Sequence, residues 1–119
     1  MQAYWTSILA SRPYGTLYVG VTNGLIRRVE QHRAGTGSSF TRKHKVHRLV
    51  WYEEFVDVRD AIQREKSLKE WPRQWKINLI ERTNPHWEDL FPSLPGAEVS
   101  GSFSAGGKMD PGHKARDDT

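Results

Sequence analysis

The chain opens with two short runs in strand rhythm. Residues 4–10 (YWTSILA) and 16–22 (TLYVGVT) are rich in aromatic and β-branched side chains, and 16–22 alternates with the period of a strand. Between them SRPYG has turn chemistry. Pro13 fixes φ and Gly15 permits φ > 0, which predicts an antiparallel hairpin. Residues 24–34 switch to helical spacing. Leu25 and Val29 fall at i, i+4 on the core side, and Thr22 or Asn23 can cap the first turn. GTGSSFTRKHKV (35–46) shows no apolar period and reads as a polar, basic loop. HRLVWYEEFV (47–56) gives a third, longer strand. Asp57 caps a helix over 58–70, with Asp60 in its first turn, where acids suit the helix dipole. Pro72 stops that helix and admits another over 73–82, with Trp75 and Leu79 as its buried pair. Asn84-Pro85 ends it.

From Pro95 the pattern fades into Gly, Ser, Pro and charge, with Phe103 the only aromatic. Such a segment buries too little apolar surface to offset its ordering entropy, so 95–119 is expected to be a disordered tail. The order β-β-α-β-α-α over residues 1–94 predicts one compact α+β domain, a small three-stranded antiparallel sheet flanked by helices.

Charge changes the picture. Residues 1–94 hold fifteen Lys/Arg and ten Asp/Glu, a net of +5. No acid lies between Glu30 and Glu53, a stretch that carries Arg33, Arg42, Lys43, Lys45 and Arg48 with three histidines among them. A one-sign patch of this kind is the footprint of a polyanion, although a merely solvated basic loop has the same composition. With no cysteine, disulfides, thiolate metal sites and a cysteine nucleophile are excluded. The first residues read as a strand rather than a signal peptide, and no apolar run approaches a membrane span of about 20 residues. A cytoplasmic protein without a membrane partner is expected. No pattern in the chain sets an oligomeric state.

Three places carry candidate chemistry. Tyr18 and Gly20 share one face of the second strand, the glycine leaving room beside the ring. Arg28 and His32 stack at i, i+4, pairing a phosphate-shaped donor fork with a group that moves protons near neutral pH. Arg27 and Arg33 compete for the first role, and the pattern does not choose among them. Glu65 sits in the apolar stripe of Ala61, Ile62 and Leu68, where a carboxylate is costly without a cation. That cation is either a hard divalent metal or Lys69 at i+4. GTGSS at 35–39 lacks the spacing of a phosphate-binding loop.

YVG at 18–20, Arg28-x-x-x-His32, REKSLKEW at 64–71 and NPHWEDL at 84–90, in this order, resemble the GIY-YIG endonuclease domain, and in particular its small stand-alone bacterial members. The resemblance spans about residues 4–92. It implies a three-stranded antiparallel sheet with helices, and Mg²⁺- or Mn²⁺-dependent hydrolysis of a DNA phosphodiester. By position it makes Tyr18 the tyrosine of the second motif, Arg28 the phosphate-binding arginine, Glu65 the metal ligand and Asn84 a polar residue at the edge of the site. His32 falls where the family has His or Tyr. The departure is in the first motif, where family spacing puts a tyrosine at position 7 and this chain has Ser7. Serine is a poor base unless another base activates it. Three outcomes follow: an enzyme whose base is His32 or Tyr18, a weak or inactive DNA-binding module, or an isolated lesion. In the first, the basic segment 33–48 tracks the DNA backbone. Trp51, Phe40 or Tyr14 are candidates for stacking on bases. The absence of a base-reading module suits selectivity for DNA structure or single strands. Repair, recombination, uptake of foreign DNA and mobile-element control are all compatible settings.

Overall fold

A computed structural model describes residues 2–36 and 39–94; the predicted tail, 95–119, lies outside the described residues. The elements are β1 (Tyr4–Ala10), β2 (Leu17–Thr22), α1 (Leu25–Arg33), α2 (Ser39–His44), β3 (Arg48–Phe55), α3 (Val58–Glu70) and α4 (Arg73–Thr83), followed by a 3₁₀ turn at Phe91–Ser93. The sheet is antiparallel with order β2-β1-β3, so β1 is central. A bulge between Ile8 and Leu9 moves the β3 partner from Trp51 to Leu49. It lets the consecutive residues Val50 and Trp51 join the same core.

Each face of the sheet has its own core. Ile8, Val19 and Trp51 pack with Leu68 of α3 and Ile77, Leu79 and Ile80 of α4. Leu9, Tyr18 and Leu49 pack with Leu25 and Val29 of α1 and with Val46 behind α2. All six residues of β2 are buried, although β2 is an edge strand. Thr6 donates its hydroxyl to the Ala61 carbonyl (2.7 Å) and fixes α3 across β1.

The predicted loop 35–46 contains a helix. α1 ends where Gly35 adopts φ +81, with its N–H on the His32 carbonyl and the Thr36 N–H on the Gln31 carbonyl. That is a Schellman termination. α2 closes the same way: Lys45 takes φ +56, its N–H reaches the Arg42 carbonyl, and the Val46 N–H reaches the Thr41 carbonyl. Thr41 and Val46 face inward, while Arg42, Lys43, His44 and Lys45 are exposed.

Other local expectations shift. Tyr14, not Gly15, takes the positive φ of the hairpin turn. Its phenol donates to Glu81 and its ring packs on Trp87, which holds it against α4. Arg73 bonds the Tyr14 and Gly15 carbonyls and fixes the turn there. Neither Thr22 nor Asn23 caps α1; Gly24 stands at that position without a side-chain bond. Instead the Gly24 N–H bonds Thr22 Oγ1 (3.0 Å), and Asn23 accepts from Arg27. Asp57 caps α3 as expected, accepting from the Arg59 N–H at 2.8 Å. On α4 the buried positions are Lys76, Ile77, Leu79 and Ile80, and Trp75 is 55% exposed.

Residues 84–94 form a strap from α4 across the open edge of β3. Asn84 donates to the Val50 and Glu88 carbonyls and accepts from the Glu88 N–H. Trp87, buried and at φ +56, receives Arg48 on its carbonyl. Asp89 accepts from the Leu49 and Phe91 N–H groups and pairs with Arg33. The Leu90 N–H bonds the Leu49 carbonyl (2.8 Å), so the edge carries no open template there.

Candidate active site

Tyr18 is the point where the two layers meet. It projects from β2 and is 2% exposed. The His32 ring meets it edge-on (centroids 5.4 Å apart), Phe40 stacks on it (6.0 Å), and Lys69 Nζ lies 5.8 Å from its centroid. α1, α2 and α3 each supply one of these contacts. Lys69 is one turn beyond Glu65 on α3. Glu65 is buried, 4% exposed.

His32 is 1% exposed. Its Nδ1 lies 2.8 Å from Thr41 Oγ1, and its carbonyl accepts from the Gly35 N–H and from the His47 ring. Its Nε2 is buried without a hydrogen-bond partner among the described residues. Burial, then the positive charge of Arg28 and of His47, pushes its pKa down from 6.5 to about 4. The imidazole is therefore neutral at neutral pH, with one nitrogen committed to Thr41 and the other unused.

Of the three candidate arginines, Arg27 bonds Asn23, and Arg33 pairs with Asp89 and lies over Phe91 (4.7 Å). Arg28 is the one that acts on His32. Ser7 lies on the same sheet face as Tyr18, opposite Gly20 of β2 and Tyr52 of β3, and is 5% exposed. It is the diagonal neighbour of Tyr18 on the adjacent strand.

The fold thus brings Tyr18, Arg28 and His32 together, with Ser7 on the same sheet face as Tyr18 and Glu65 buried on α3 one turn before Lys69. Arg33, Arg48 and Asn84 hold the strap: Arg33 is exposed but paired with Asp89, Arg48 bonds the Trp87 carbonyl, and Asn84 is buried with its amide bonded to Val50 and Glu88. Arg42, Lys43 and Lys45 do stand exposed on and just beyond α2, with one Arg42 nitrogen on the Gly35 carbonyl (3.3 Å). Phe40 supports Tyr18, Trp51 lies in the core, and Tyr14 packs on Trp87 and bonds Glu81 of α4, so the three stacking candidates have structural duties. Thr41 was not singled out by the sequence, because its link to His32 joins two helices that local patterning does not connect.

The donor set suits a hard, mostly hydrated cation. Glu65 is the one buried carboxylate among the described residues, which hold no cluster of three or more His, Cys, Asp or Glu side chains able to bind a metal. Mg²⁺ characteristically keeps several waters and takes one or two protein carboxylates plus substrate phosphate.

The GIY-YIG catalytic domain model matches residues 3–78, and the chain belongs to that nuclease family. It is similar to a UPF0213 protein of Bacillus pumilus, 39% identical over 67 residues (56% of this chain, 68% of that protein). A UPF0213 protein of Oceanobacillus iheyensis is 35% identical over 66 residues, 56% of this chain and 77% of that protein. The solution NMR structure of UPF0213 protein BH0048 from Bacillus halodurans aligns with TM-score 0.48 and 27% identity over 76% of this chain and 95% of that one. Among the described residues no helix is long and apolar enough to cross a membrane.

Proposed function

We propose that this protein is a metal-dependent DNA endonuclease that hydrolyses phosphodiester bonds, selects for DNA structure or single strands, and works in the cytoplasm. The observation that carries the reading is His32: a neutral imidazole, buried beside Tyr18 and Arg28, with Nε2 uncommitted. A buried unsatisfied nitrogen calls for an explanation, and a proton-accepting role supplies one. In this reading Arg28 holds the scissile phosphate and offsets the charge that develops on it. A water enters with the DNA and attacks phosphorus in line. Its proton passes to His32 Nε2, and the 3′ oxygen departs. Glu65 would hold Mg²⁺ or Mn²⁺, which supplies Lewis-acid stabilisation of the leaving oxygen when bound. Tyr18, clamped by His32, Phe40 and Lys69, fixes the wall of the site. The exposed Arg42, Lys43 and Lys45 follow the DNA backbone.

The competing reading is a catalytically silent DNA-binding protein, which Ser7 in place of the first tyrosine favours. Glu65→Gln separates the two. Labelled single-stranded, duplex and branched DNA are incubated with each protein in Mg²⁺, Mn²⁺ or EDTA, and affinity is measured in parallel. The nuclease reading expects cutting by the wild type, none in EDTA, and a loss of at least about 100-fold in Glu65→Gln with DNA affinity kept. DNA binding without cutting by the folded wild type on every substrate would establish the silent reading.

A further inference from the structure

We propose that Thr41 is a positioning residue that locks His32 in the Nδ1–H tautomer, leaving the Nε2 lone pair as the proton acceptor. The role assigned to that lone pair rests on the nuclease reading above; the tautomer itself does not. Thr41 is 1% exposed, and its hydroxyl oxygen lies 2.8 Å from His32 Nδ1. A neutral imidazole carries one proton on one of two nitrogens, and the hydrogen bond made by the other nitrogen selects which. Two arrangements fit the distance. If the Thr41 hydroxyl donates to Nδ1, the ring proton sits on Nε2 and is buried without an acceptor. If Nδ1–H donates to Thr41 Oγ1, Nε2 carries only a lone pair. Buried orphan N–H groups are rarer than under-used acceptors, so the second arrangement is favoured.

The surroundings hold the ring in place for this bond. The His32 carbonyl is pinned by the Gly35 N–H and by His47, which fixes the last turn of α1. On the other side, the Val46 N–H caps the Thr41 carbonyl and Arg42 ties α2 to the Gly35 carbonyl. Thr41 and His32 therefore face each other across two helix ends that are bonded together. The hydroxyl acts through His32 and touches no reacting atom.

The test begins with the wild type. Long-range ¹H–¹⁵N spectra at neutral pH distinguish a protonated from an unprotonated ring nitrogen. The expected result is Nδ1 protonated and Nε2 unprotonated; an Nε2–H tautomer overturns the proposal without bearing on whether the protein cuts DNA. Thr41→Val, nearly isosteric, removes the acceptor and should move the tautomer toward Nε2–H. With kinetics on the best DNA substrate, kcat should fall about 10- to 100-fold, the range of lost outer-shell bonds at related sites, with KM within about twofold. Thr41→Ser should restore the wild-type tautomer and most of kcat. A fall in kcat with an unchanged tautomer would refute the link. Failure of the wild type to cut any DNA, with the Nδ1–H tautomer present, would sink the nuclease reading and leave the tautomer assignment standing.

Discussion

His32 makes folding stability depend on pH, with a predictable sign. Its pKa falls from 6.5, the ordinary value, to about 4 in the fold, chiefly through burial. Above pH 6.5 both folded and unfolded chains carry it neutral, and its environment costs nothing. As pH drops below 6.5 the unfolded chain takes up a proton that the folded one refuses, so stability is lost until the pH reaches about 4. At 1.36 kcal/mol per tenfold change in proton affinity, the full effect is about 3 kcal/mol, and about 2.5 kcal/mol of it falls between pH 7.5 and 4.5. That is a large share of the roughly 5–15 kcal/mol that holds a domain together. The perturbation is His32→Gln, which keeps a polar side chain and removes the titration. The assay is urea unfolding of both proteins at pH 7.5 and 4.5, followed by tryptophan fluorescence. The carboxylates contribute equally to both proteins and cancel in the comparison. The wild type should lose about 2 kcal/mol more than His32→Gln on acidification. Equal losses, within about 0.5 kcal/mol, would show that the fold does not depress the His32 pKa.

The other predictions concern the layers around the site. Arg42→Gln with Lys43→Gln should lower DNA affinity and reduce the salt slope of log K by about 1.5–2, read by fluorescence anisotropy across a salt series; an unchanged slope would remove α2 from the DNA path. Asn84→Ala should cost about 2–3 kcal/mol of stability in denaturant titration by breaking the bonds to Val50 and Glu88, with no change in DNA affinity for the folded protein. Trp87→Ala should cost about 3–5 kcal/mol, whereas Trp75→Ala, at an exposed position, should cost well under 1 kcal/mol; equal costs would contradict the packing of the strap.

Much of this fold was legible because its elements obey simple periods. The hairpin, β3 and the helices carrying Leu25/Val29 and Ala61/Leu68 follow from alternation and i, i+4 spacing, and Asp57 and Pro72 mark helix ends by well-understood chemistry. Glu65 announced itself as a carboxylate in an apolar stripe. α2 stayed hidden for physical reasons. Five of its six residues are polar, and its terminator is Lys45 in a conformation that glycine normally supplies. Trp75 was misplaced because a tryptophan at helical spacing suggests core, whereas α4 packs through Ile77 and Ile80. Arg33, Arg48 and Asn84 read as nucleic-acid contacts from charge and motif alone. Their partners, Asp89, the Trp87 carbonyl, Val50 and Glu88, are mostly long-range contacts that no local pattern displays.

The central claim is that the site hydrolyses DNA with Ser7 where the family has a tyrosine. Single-turnover cleavage of a labelled DNA by the wild type and by Ser7→Tyr, with Mg²⁺ or Mn²⁺, tests it most directly. Metal-dependent cutting by the wild type is expected at a rate within about tenfold of Ser7→Tyr, the scale of a group that does not itself move the proton. Cutting by Ser7→Tyr alone, with a folded wild type that binds DNA and leaves it intact, would contradict it.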